Sequence, residues 1–190
     1  GRYTHQRVVA RCHKGVLVLE RLAAAVVYYP TFFWNVFQGR LTHRWQWWTV
    51  LEPTLILGAV PFRGDVEKLA ELGVKAVVNT CEEFPGHLDL YEKYGIEQFW
   101  MPTVDFRPPK LADVQAAVAF MQRQVAAGKP VYVHCKAGRA RSATVVVCYL
   151  VAQRGWTPQQ ALQWILERRP QVLKTIAKRQ VVRDFTAAQD

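Results

Sequence analysis

Val131-Tyr-Val-His-Cys-Lys-Ala-Gly-Arg-Ala-Arg-Ser142 is the stretch on which the reading of this chain turns. Val131 to His134 is a short apolar run that predicts a buried strand. Cys135 follows, then five residues, then Arg141. Next comes the uncharged run Ala143 to Ala152. Its valines favour a strand by propensity. Its length, and the loop before it, predict a central helix instead. A strand, a tight loop and a helix start form an anion site in outline, because loop N–H groups and the helix N-terminus both favour negative charge. The same field favours the thiolate of Cys135. Arg141 can fork onto two oxygens of one anion. Gly138 permits the tight turn.

His134-Cys135-x5-Arg141-Ser142 resembles the signature of the cysteine-dependent phosphatases. With the intervening Lys136, Ala137, Gly138, Arg139 and Ala140, it is similar to the mitochondrial protein-tyrosine-phosphatase-like enzymes that dephosphorylate phosphatidylglycerophosphate. The likeness runs from about Leu22 to near the C-terminus. Tyr29-Pro30-Thr31, followed by Phe37-x-Gly39-Arg40, resembles that family's N-terminal element.

The resemblance implies a division of labour. Cys135 is the expected nucleophile, forming a phosphocysteine intermediate. Arg141 and the loop amides of residues 136 to 140 are expected to hold the phosphate. Lys136 and Arg139 add charge that suits a substrate with more than one acidic group. Asp105, thirty residues before Cys135 in Pro102-Thr-Val-Asp-Phe-Arg107, resembles the general acid; the alternative is a turn residue capping the next helix. Asp89 and Asp113 fall within predicted helices and are weaker candidates. Glu82 and Glu83 resemble an acidic pair near the family's site, or else form a solvated turn. His134 either steadies the loop by hydrogen bonds or is a core histidine. Ser142 either donates to the thiolate or is an N-cap. Cys81 is a candidate redox partner of Cys135, and Cys148 reads as core. This chemistry calls for no metal and no cofactor.

With 190 residues and 51% hydrophobic side chains, the chain can bury a core of its own. The net charge of +10 is uneven. Residues 1–50 hold Arg2, Arg7, Arg11, Lys14, Arg21, Arg40 and Arg44 against one acid, Glu20. So basic an N-terminal quarter implies an acidic partner. No nucleic-acid motif accompanies it. The four cysteines show no paired or zinc-like spacing, which suits a reduced compartment.

Two divisions are expected: a basic tail with a membrane-interfacial helical element over residues 1–50, and a phosphatase domain over 51–190. Leu22 to Phe37 is uncharged but interrupted by Pro30 and Asn35, and shorter than the roughly 20 residues that span a bilayer. Trp45, Trp47 and Trp48 beside Arg40 and Arg44 have the composition of a membrane–water interface; packing on the domain is the alternative. This composition suits an anionic membrane surface, the resemblance implies an anionic phospholipid substrate, and a monomer is expected. The resemblance implies the matrix face of the mitochondrial inner membrane, with peripheral or interfacial anchoring.

Strands are expected at 54–59, 74–79, 96–101 and 131–133. Helices are expected at 65–72, 87–94, 111–127, 143–152, 158–168 and 176–187. Alternation of the two predicts an α/β domain, and the whole resembles the compact dual-specificity phosphatase fold, with the site at the strand carboxyl ends. The leading function is phosphatidylglycerophosphate hydrolysis in phosphatidylglycerol and cardiolipin synthesis. Alternatives are a dual-specificity protein phosphatase, a phosphoinositide phosphatase, a glucan phosphatase and an inactive binding module.

Overall fold

A computed structural model describes Phe33, Trp34 and residues 46–189. The expected tail and most of the expected interfacial element lie outside the described residues. The sheet has five strands: β1 (Trp48–Glu52), β2 (Leu55–Gly58), β3 (Ala76–Cys81), β4 (Glu97–Thr103) and β5 (Val131–His134). Their spatial order is β1-β2-β5-β3-β4. β1 is antiparallel to β2; the other pairings are parallel. β5 is thus the central strand, and its carboxyl end carries the decisive loop.

The pleat sorts side chains between two faces. Leu55, Leu57, Ala76, Val78, Val131 and Val133 join one core, and Ile56, Val77 and Tyr132 join another. The second core is covered by α1 (Arg63–Glu71) and α2 (Leu88–Tyr94), whose last turn closes on Gly95 in the left-handed conformation. The larger core is covered by α3 (Leu111–Ala126), α4 (Arg141–Arg154), α5 (Pro158–Arg168) and α6 (Gln180–Ala187).

α4 is the run read as a helix against its valine content. Every residue from Arg141 to Val151 is buried, so tertiary burial decides its conformation rather than propensity. α5 begins at the expected capping box, with Thr157 Oγ1 accepting from the Gln160 amide and Gln160 Oε1 accepting from the Thr157 amide.

Two expectations change. β1 was not among the four expected strands. It pairs with β2 through a hairpin turned at Pro53-Thr54, so the sheet reaches into the 1–50 segment. Trp47 stacks on Phe62 and donates from Nε1 to the Val60 carbonyl at 3.0 Å. Trp48 packs partly buried beside the second core. Trp47 and Trp48 thus pack on the domain. The single helix expected over 176–187 is divided: a 3-10 turn covers Ile176–Lys178, and Arg179 takes an extended backbone before α6. Among the described residues, no helix is long and apolar enough to cross a membrane.

Candidate active site

The loop from Cys135 to Ala140 joins β5 to α4. Its shape is imposed from behind. Gly138 has φ +63°, and a Cβ there would lie 2.5 Å from the Gly58 carbonyl carbon and oxygen, so only glycine fits. Arg169, 1% exposed, donates from Nε to the Gly138 carbonyl at 2.9 Å and from Nη2 to the Ala137 carbonyl at 3.3 Å. Its Nη1 reaches Thr49 Oγ1 at 3.0 Å and the Gln46 carbonyl at 2.9 Å, which ties the loop to β1. Burial lowers the Arg169 pKa to about 10, so it stays a cation at neutral pH. With these carbonyls drawn outward, the backbone N–H groups of Ser142 and Arg139 are directed at the Cys135 sulfur.

Cys135 is 3% exposed at the floor of a cavity of about 360 Å³. Burial pushes its thiol up. The Arg141 charge, the Ser142 hydroxyl at 3.2 Å and the two amides outweigh that, and the pKa falls to about 7. Ala140, not Ser142, takes the N-cap position of α4, which leaves the Ser142 hydroxyl to the sulfur.

Arg141 is held on almost every side. Nη1 and Nη2 meet Glu83 Oε2 and Oε1 at 2.9 and 2.7 Å. Nη1 also donates to the Thr103 carbonyl at 2.8 Å, and Nη2 lies 3.0 Å from Asp105 Oδ1. Its Nε has no protein acceptor among the described residues. Burial disfavours its charge, but the Glu83 hydrogen bond and the facing thiols hold its pKa above the ordinary value.

Asp105 stands over the floor, not at a helix start; Lys110 is the N-cap of α3. Its carboxylate bridges Arg141 and the buried Lys136 ammonium. Asp89 instead pairs with Arg63 on the open surface, and Asp113 lies in the first turn of α3. Lys136 and Arg139 both line the cavity, although Arg139 gives its Nε to the Gln171 carbonyl at 2.8 Å.

The His134 ring is fully buried beside the loop. It stacks on Tyr132 and meets the edge of Phe84. Burial lowers its pKa to about 3, so it is neutral. The loop is tied here through the backbone: Thr80 Oγ1 donates to the His134 carbonyl at 2.9 Å. Cys81 and Cys148 are buried free thiols whose pKa values are raised by burial, the second to about 12.

Sequence reasoning did not reach Arg169, Arg179, Thr144 or Leu173. Arg169, Leu173 and Arg179 lie far along the chain, and no motif separates the two arginines from solvated ones; Thr144 sits within the apolar run after the loop. Trp34, Phe106 and Leu173 are exposed at the rim of the same cavity.

A buried thiol of lowered pKa, an arginine fork and a carboxylate on the loop above define the cysteine-dependent phosphatase class. Residues 55–187 match the family model for the dual specificity phosphatase catalytic domain, and the chain belongs to that family. It is a cysteine-dependent phosphatase. It is 38% identical over 167 residues to the phosphatidylglycerophosphate phosphatase PTPMT2 of Arabidopsis thaliana, covering 86% of this chain and 73% of that one. It is 34% identical over 177 residues to phosphatidylglycerophosphatase and protein-tyrosine phosphatase 1 of Mus musculus, covering 88% and 91%. The crystal structure of PTPMT1 in complex with PI(5)P superposes with a TM-score of 0.67 at 30% identity, over 76% of this chain and all of that one.

Proposed function

We propose that this chain removes the terminal phosphate of phosphatidylglycerophosphate at a membrane surface. One observation carries the reading: a cationic cavity with Cys135 at its floor is rimmed by exposed Phe106, Leu173 and Trp34. A basic floor below an apolar rim suits an anionic amphiphile. The relatives named for phosphatidylglycerophosphate agree with it. Location at the matrix face of the mitochondrial inner membrane rests on the family resemblance and on the basic N-terminal segment.

The reaction follows from the residues in place. An entering phosphate takes the free Arg141 Nε and the Nη2 hydrogen that Asp105 now holds. The Cys135 thiolate attacks phosphorus, and the bond from phosphorus to the ester oxygen breaks. Asp105, released from Arg141, enters the step carrying a proton taken up from solvent and gives it to the departing alcohol. Water then attacks phosphorus and passes a proton to the Asp105 carboxylate. The sulfur–phosphorus bond breaks, and the Ser142 hydroxyl donates to the leaving thiolate. Loop amides and Arg141 hold the phosphoryl oxygens throughout.

A second reading is a phosphoinositide monoester, favoured by the PI(5)P bound to a related structure. The test is phosphate release from phosphatidylglycerophosphate, phosphatidylinositol phosphates and a phosphotyrosine peptide, the lipids in vesicles. The proposal expects the highest kcat/KM on phosphatidylglycerophosphate. A higher value on an inositol lipid supports the second reading, and a higher value on the peptide overturns both.

A further inference from the structure

Charge in the cavity is unevenly met. The Lys136 ammonium pairs with Asp105. Arg141 pairs with Glu83 and Asp105. Arg179 lines the same cavity, half-buried, and no carboxylate pairs with it among the described residues. A partly desolvated cation without a counter-charge is unfavourable unless an anion arrives.

Arg179 is also held in place. The chain leaves helical geometry at this residue, with φ −66° and ψ 139°, between the 3-10 turn and α6. Its Nη1 donates to Thr144 Oγ1 at 3.0 Å, and that hydroxyl donates to the Ala140 carbonyl at 2.8 Å. The guanidinium is therefore anchored to the end of the loop that surrounds Cys135. The entropy of fixing a long side chain is met before any ligand binds. Arg141 has most of its donors committed to protein, whereas Arg179 retains donors for a ligand. A cavity of about 360 Å³ is ample for more than one phosphate group.

We propose that Arg179 is the subsite for a second anionic group of the substrate, the phosphodiester that lies one glycerol away from the scissile monoester. This rests on the lipid reading above and deepens it. Cys135 and Arg141 then select a phosphate monoester, and Arg179 selects a monoester that carries a diester nearby.

The test uses the full chain and two water-soluble substrates, so that membrane binding does not enter. One is the deacylated headgroup, glycerophosphoglycerophosphate, with a diester and a monoester. The other is glycerol phosphate, with the monoester alone. The unaltered chain should prefer the first by kcat/KM. Arg179→Gln should raise KM for the diester-bearing substrate by about tenfold, as expected for one charged hydrogen-bonding contact, with a much smaller change in kcat. The preference should largely disappear, and Arg179→Lys should restore part of it. Thr144→Val keeps the charge but removes its anchor, and should raise the same KM by about threefold, a fraction of one hydrogen bond. It serves if Arg179→Gln does not fold. Retained preference in Arg179→Gln, or in Thr144→Val where only that variant folds, overturns the Arg179 subsite and leaves the lipid reading standing. No preference in the unaltered chain overturns both. Equal losses on the two substrates also overturn the subsite, because they assign Arg179 to general electrostatics.

Discussion

Glu83 and Arg141 face each other through two parallel hydrogen bonds, Oε1 to Nη2 at 2.7 Å and Oε2 to Nη1 at 2.9 Å. They lie 58 residues apart in the chain, on the loop after β3 and at the first residue of α4. The pairing fixes the plane of the guanidinium, and Nε is the donor it leaves without a protein acceptor among the described residues. Glu83→Gln keeps the shape but weakens the fork. It should lower kcat/KM by about tenfold on every phosphate monoester, which corresponds to about 1.4 kcal/mol of transition-state binding. Steady-state kinetics on an alkyl and an aryl phosphate check this. Unchanged kinetics would reduce Glu83 to a solvated turn residue.

Asp105→Asn should behave differently. It removes the transferable proton, so kcat on an alkyl phosphate should fall by roughly 10²–10⁴. An aryl phosphate with a good leaving group should lose far less. Equal losses on the two would remove Asp105 from the acid role.

The Cys135 thiol gives a prediction in pH. Its pKa is lowered to about 7, so the thiolate predominates above pH 7 and is lost as pH falls through it. Alkylation by iodoacetamide should therefore have a midpoint near pH 7, below the roughly 8.5 of a free cysteine. Ser142→Ala removes a hydrogen bond to the sulfur and should move the midpoint upward. A midpoint at or above that of free cysteine would contradict the geometry.

Much of this arrangement was legible in the sequence. Val131 to His134 is a strand at the expected residues. The helices closed by Gly73 and Gly95 end where those glycines allow a left-handed turn. Such signals are local, and local signals survive translation into structure. β1 was missed because Trp47 and Trp48 carry the composition of a membrane interface, and composition does not distinguish a tryptophan packed on its own sheet from one in a headgroup layer. Arg169 and Arg179 were missed for a topological reason. The chain returns to the loop after α5 and again before α6, and nothing within a few residues of either arginine records what the other end of the molecule places beside it. Glu83 stays balanced against a solvated turn in the sequence, because only the fold brings the loop after β3 beside the start of α4.

The rim should matter only when the substrate is in a bilayer. Phe106 is 72% exposed and holds a positive φ of 65°, a conformation unfavourable for an aromatic residue by about 1–3 kcal/mol. Its ring lies 5.4 Å from the Lys136 ammonium. Replacing Phe106 and Leu173 together with serine should lower activity on phosphatidylglycerophosphate in vesicles by at least about tenfold more than on its deacylated headgroup, given about 25 cal/mol per Å² of apolar surface. Equal effects on the two substrates would mean that the rim does not meet the membrane.

In the proposed reaction Cys135 takes the terminal phosphate of phosphatidylglycerophosphate onto its sulfur. This step is tested most directly by a rapid acid quench with lipid labelled in that phosphate. The predicted result is label bound to the protein within one turnover, mapped to Cys135 and absent from Cys135→Ser, which should also release no phosphate. Phosphate release by Cys135→Ser at a comparable rate, or label on another residue, would contradict it.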